Sequence, residues 1–256
     1  MERHSLDTLA AAWAELLGVE APRHAAKANP YLVDFVKTAF DGKTADRIFL
    51  YNPDAIGQWL DEKYPEYISE VTGRTGLTLP LYSPMPPKTP VCFGTMYTGA
   101  QPAIHGITKY EKPVIRIDTL FDALIRAGKK PIIIADPKCS MSHIYLERDM
   151  DYIAVSGVAN VNAAAAKVIL EDQHDFIVVY NGNFDYRMHR SGCETPETLA
   201  ELAKKYRHQY KLVTLEGDIL NPGGSMTGGS AQKKALHTIT DKFSESMITY
   251  NTENFH

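Results

Sequence analysis

The sequence predicts an α/β fold, a mostly parallel sheet with helices on both faces, and three observations predict it. Short apolar, β-branched runs, RIFLYN at 47–52, PIIIAD at 131–136 and FIVVYN at 176–181, are continuous in the way of strands covered on both sides. Between them lie stretches of helical period, the alternation that builds a parallel sheet. Acidic residues follow the strands: Asp54, Asp136 and, a few residues past Asn181, Asp185. That edge is where open α/β sheets bind ligands.

Taken in order, Leu6, Leu9, Trp13 and Leu17 stand at helical spacing after Ser5 as a cap, and Leu32, Phe35, Val36 and Phe40 do so after the breaker Asn29-Pro30. Residues 1–46 read as a helical lead-in. The core, 47–198, opens with strand RIFLYN and a helix from about Ala55 to Lys63. The stretch 64–88, rich in Gly, Pro and Tyr, reads as an excursion. Then come helix TLFDALIRAG closed by Gly128, strand PIIIAD, helix NVNAAAAKVILED and strand FIVVYN. The character changes again near residue 199, leaving 199–256 as a tail.

With 256 residues, 44% of them hydrophobic, the chain can bury one large core and an appendage. A net charge of -4 gives no electrostatic reason for nucleic acid as an obligatory partner. The opening stretch MERHSLDTLAAAWAELLG carries Glu2, Asp7 and Glu15, unlike a secretory signal, and nowhere do about 18 apolar residues run together. A cytoplasmic protein without a membrane segment is expected. Cys92, Cys139 and Cys193 form no CxxC pair, so neither a disulfide framework nor a thiolate zinc site is suggested.

Thr89-Pro90 pairs a capping residue with proline at the first helical position, so backbone N–H groups of the next turn would face a bound phosphate. Taken alone, such a pair is more often a cap and nothing more. Asp54, after a strand and before a helix, is equally well explained as a cap. Asp185 and His189 lie four apart, on one face if helical, with oxygen and nitrogen donors that suit zinc. As an isolated pair they are more often a surface ion pair.

Read together, YNPDAIG at 51–57, PPKTPVCFGTMYTGAQPAIHGI at 86–107 and FDYRMHRSG at 184–192 resemble the alkaline phosphatase superfamily, in its nucleotide pyrophosphatase and phosphodiesterase branch. Thr98-Gly99 stands nine residues, and His105-Gly106-Ile107 sixteen, after Thr89, and Gly192 follows His189 by three, as in that branch. The resemblance implies an alkaline phosphatase-like fold and metal-dependent hydrolysis of a small phosphoester or nucleotide substrate through a phosphothreonine at Thr89. It implies two divalent ions, zinc above all. Asp54 and Thr89 would serve the ion that activates the nucleophile; Asp185 and His189 would bind the second. His105 takes a structural, loop-fixing role, and His143, His174 and His208 are left as surface residues.

The sequence departs from this family in two ways. Cys92 stands where the family has a phosphate-contacting Asn, and a later Asp-His-Gly with one further His has no counterpart, so the likeness implies a truncated core. Asp218 and the tail histidines, His208, His237 and His256, are the candidates for the missing places. Moreover LAKKYRHQYKLVTLEGDILNPGGSMTGGSAQKK, 202–234, resembles part of the hinge domain of SMC chromosome-segregation proteins, without their coiled coils. Two other readings therefore stand beside the hydrolase: a degenerate member that binds phosphate or one metal without turnover, and a hinge-type self-association module.

Overall fold

The computed structural model describes residues 4–206, and beyond them the strand segments 212–213, 219–220, 226–227 and 248–252. In chain order, β1 (His4–Ser5) and one 3-10 turn (Leu6–Thr8) lead into α1 (Leu9–Leu16) and α2 (Pro30–Ala39), followed by β2 (Ile48–Pro53). Helices α3 (Gln58–Lys63) and α4 (Pro65–Thr72), strand β3 (Leu77–Tyr82), and helices α5 (Thr89–Thr98), α6 (Pro102–His105) and α7 (Leu120–Arg126) follow. Next come β4 (Pro131–Ala135), α8 (Met141–Ile144), β5 (Asp151–Ala154), α9 (Val158–Glu171), β6 (Phe176–Asn181), α10 (Asn183–Ser191) and α11 (Pro196–Tyr206). The short strands β7 (Leu212–Val213), β8 (Ile219–Leu220), β9 (Met226–Thr227) and β10 (Ile248–Thr252) complete the described elements.

The main sheet runs β2-β6-β4-β5 with every pairing parallel, which is the fold class the sequence implies. Alternate side chains divide between two cores because successive residues of a strand face opposite ways. Phe176, Val178 and Tyr180 join Ile133 and Ala135 in a cluster with the lead-in helix α1 and with α5 and α7. Ile177 and Val179 join Ile132 and Ile134 against Val161, Ala165 and Val168 of α9. Each β4 and β6 residue is buried, whereas β2, at the edge, leaves Phe49 and Tyr51 half-covered. The lead-in packs into this same core: the Trp13 ring lies 5.5 Å from that of Tyr97 and 6.1 Å from that of Phe176.

Local signals set most boundaries. Asn29 caps α2 by accepting from Leu32 N at 3.1 Å, with Pro30 next. Thr119 and Asp122 form a reciprocal capping box at α7. The expected helix from Ala55 begins only at Gln58, because Ala55 sits at φ 63°, outside the helical region. The stretch 64–88 holds α4 and β3, which proline and glycine content concealed. Pro80 lies inside β3 in register with Asn251 of β10, while β1 pairs only with Leu81 and Tyr82 on the other side. Strand β5, four exposed or half-buried residues at the sheet edge, is short, and its Tyr152 and Ile153 pack against different cores.

Candidate functional site

The site lies past the carboxyl ends of β2 and β6. The ladder between them continues one residue beyond β2, with Asp54 N donating to Asn181 O at 3.0 Å, and this sets Asp54 beside the end of β6. Asp54 does not cap a helix: α3 has Gly57 at its N-cap, and the Asp54 carboxylate instead accepts from its neighbour Ala55 N at 3.0 Å through Oδ1. Its other oxygen, Oδ2, accepts from Thr89 Oγ1 at 3.2 Å and from the Tyr180 hydroxyl at 2.6 Å. Thr89 is the first residue of α5, after Lys88 at the N-cap, and its hydroxyl faces Asp54 in place of the helix backbone.

Helix α5 is an unusually enclosed element. Every residue from Pro90 to Thr98 except Cys92 is buried, so the backbone around Thr89 is held by core packing. Cys92, one turn beyond Thr89, has its thiol pushed up to about 12 by burial and by the Asp54 charge, which keeps it protonated. Behind the helix, His105 behaves as the sequence suggests: its Nδ1 accepts from Ile107 N at 3.2 Å, and its Nε2 lies 3.1 Å from Thr95 Oγ1. Burial holds this imidazole down to about 4, so it stays neutral.

Asp185 and His189 both belong to α10, as their spacing predicts, with Asp185 Oδ1 3.4 Å from His189 Nε2. Burial, then the neighbouring Asp54 charge, raises the Asp185 carboxyl to about 6, against the pull of His189 and Lys88. That mutual influence puts Asp54, Thr89, Lys88, Asp185 and His189 in one neighbourhood. The sequence reading missed Tyr180, whose ring is buried edge-on against Phe93 at 5.2 Å between centroids. Burial and the Asp54 carboxylate raise its phenol well above the ordinary value, so it is a permanent donor. Only its place as the penultimate residue of a β-strand hinted at this.

The remaining candidates separate from the cluster. Asp136 turns back on its own loop, accepting from Lys138 N at 2.9 Å. His143 is a surface residue that reaches Pro137 O at 3.0 Å. His174 is not: its side chain is only 11% exposed and its Nε2 lies 2.8 Å from Asp151 Oδ2. Asp218, His208, His237 and His256 lie outside the described residues. A cleft of about 540 Å³ between α7 and the loops at 114–118 and 146–149 includes none of the site residues, and three of its four arginines are paired with carboxylates, Arg126 with Asp118, Arg116 with Glu147 and Arg148 with Asp122. No helix among the described residues is long and apolar enough to cross a membrane.

No family model matches the chain. It is 68% identical over 34 residues, 13% of the chain and 3% of the relative, to the chromosome partition protein Smc of Bacillus subtilis (strain 168). It is 44% identical over 50 residues, 20% of the chain and 4% of the relative, to Smc of Clostridium kluyveri (strain NBRC 12016). A third match, 40% over 57 residues, covers 18% of the chain and 6% of Smc from Mesomycoplasma hyorhinis. The chain thus spans only a few per cent of the length of the curated relatives it matches, and it contains an Smc-related segment.

These findings correct the expectation of a zinc-binding hydrolase. The matched relatives are named chromosome partition proteins, not hydrolases or phosphodiesterases. Among the described residues no group of three or more His, Cys, Asp or Glu could hold a metal ion. Asp54 lies with Thr89, and Asp185 with His189, as two pairs, neither of which gathers a third His, Cys, Asp or Glu among the described residues. Two donors per ion fall short of the three that a catalytic zinc site keeps.

Proposed function

We propose that the α/β part of this chain is a non-catalytic binder of a phosphoryl group, acting in the cytoplasm. The single observation that carries this reading is the Thr89 hydroxyl at the first turn of α5, bonded at 3.2 Å to Asp54. The first turn of a helix has backbone N–H groups without intrahelical partners and a partial positive charge, both suited to an anion. The spacing from Thr89 to Thr98-Gly99 and to His105-Gly106-Ile107 supports the same reading. Two carboxylates, Asp54 and Asp185, disfavour a doubly charged monoester, so the fitting ligand is a singly charged phosphodiester of nucleotide type. Slow or absent turnover is expected, because Cys92 can offer an oxyanion only the weak donor of a thiol. The test is calorimetry and absorbance with bis(p-nitrophenyl) phosphate: binding without nitrophenolate release, lost in Thr89→Ala, is expected. Equal binding by Thr89→Ala removes the reading.

A second function, hinge-type self-association, is favoured by the 68% identity over 34 residues to an Smc protein. The antiparallel set β7-β8-β9 consists of two-residue strands, too short to stand alone in water, and a second copy could complete it. Light scattering of the full chain and of a chain ending at Tyr206 separates the cases. Dimer for the first and monomer for the second is expected; a monomeric full chain excludes association.

A further inference from the structure

We infer that Tyr180 is the positioning residue of this site, the donor that holds Asp54 so that Thr89 is free to turn toward a ligand. The inference rests on the reading of Thr89 as the phosphoryl-contacting group. Two hydroxyls compete for Asp54 Oδ2, Tyr180 at 2.6 Å and Thr89 at 3.2 Å, and the shorter bond is the stronger. A hydroxyl has one proton to give. When a phosphodiester oxygen arrives, Thr89 can pass its proton contact from Asp54 to the ligand only if the carboxylate oxygen it leaves is still satisfied. Tyr180 supplies that satisfaction, because a carboxylate oxygen abandoned in a part-buried site is expensive.

The surroundings are built for this contact. The phenol ring is fixed by Phe93 at 5.2 Å and is 7% exposed, so its hydroxyl has little freedom to leave Asp54. Gly182, two residues on, makes room for it: a Cβ added there would lie 2.7 Å from the Tyr180 hydroxyl oxygen. Any side chain at 182 would push the phenol from its place. Glycine here therefore serves a close approach, not a left-handed turn.

The test is a double-mutant cycle on bis(p-nitrophenyl) phosphate affinity, measured by calorimetry for wild type, Tyr180→Phe, Asp54→Asn and the double variant. Tyr180→Phe keeps the ring on Phe93 and is expected to weaken binding about fivefold, the worth of about one net hydrogen bond. If Tyr180 acts through Asp54, the same change made in Asp54→Asn has less than about a twofold effect. Gly182→Ala, which displaces the hydroxyl without removing it, is expected to weaken binding as Tyr180→Phe does. Unchanged affinity in Tyr180→Phe overturns the inference and leaves the binding reading intact, as does an equal loss in both backgrounds, which marks a merely structural tyrosine. No binding by wild type overturns the parent reading and this role with it.

Discussion

Asp185 shows how a single carboxyl reports the charge density of its surroundings. Its value rises from 3.8 to about 6, first through burial and then through Asp54. Between those two values the folded chain keeps a proton that the unfolded chain has released, so stability falls as pH rises through this window and the loss is complete above it. Asp185→Asn removes the charge; it is expected to raise the melting temperature at about pH 7.5 and to have little effect near pH 3.5, as thermal melts at the two values would read. An equal gain at both values would mean that the carboxyl's charge is not what burdens the fold. Gly94 offers a second test at this scale. A Cβ there would lie 2.6 Å from His105 Cε1 and 2.8 Å from its Nδ1, in a core that cannot yield easily. Gly94→Ala is expected to cost about 1–3 kcal/mol in urea unfolding by driving the imidazole off Thr95 and Ile107.

At the scale of elements, two helices, α2 and α7, begin where a side chain satisfies an open backbone N–H, and the second of these can be weighed. Thr119 is fully buried at the N-cap of α7, accepting from Asp122 N at 3.3 Å and donating to Asp122 Oδ2 at 2.7 Å, while Arg148 Nε reaches the same carboxylate at 3.1 Å. Thr119→Ala is expected to destabilise the chain by about 1 kcal/mol, read from chemical denaturation, and a neutral result would show that Arg148 and water take over the cap. Strands obey a different logic. Strand β6 received its whole span from sequence because FIVVYN is an unbroken apolar run closed by Asn181, and all six residues are buried. Strand β3 does alternate Leu77, Leu79 and Leu81 on one face, a period that Pro80 and the Gly-, Pro- and Tyr-rich setting overshadowed, and β5 is only four residues long at the sheet edge.

At the scale of the molecule, α11 carries the α/β unit to residue 206, with Leu202 fully buried beside Ile68, Phe184 and Met188. This small cluster backs the site, since Phe184 and Met188 flank Asp185 on α10. A chain ending at Tyr206 keeps that cluster, although it loses β10, which pairs with β3, whereas one ending at residue 198 also strips Leu202 and is expected to be less stable than it by about 2–5 kcal/mol. Denaturant melts of the two truncations decide it: equal stability would make α11 dispensable to the unit.

The sequence by itself determined the α/β class and the strands RIFLYN, PIIIAD and FIVVYN, because hydrophobic period is a property of the chain, whereas the grouping of Thr89, Asp54, Asp185 and His189 was implied only by the family resemblance. It also carried the Smc-like segment, since local identity needs no fold to be seen. Only the tertiary structure decided what those four residues do to one another. Asp54 spends both oxygens on Ala55, Thr89 and Tyr180, and its charge raises Asp185. Tyr180 stands 126 residues from Asp54 in the chain, and its phenol reaches the carboxylate only because β2 and β6 pair in parallel and α5 seals the face between them. Hydrogen-bond satisfaction is a property of neighbours in space, and no spacing along the chain encodes which donor will arrive.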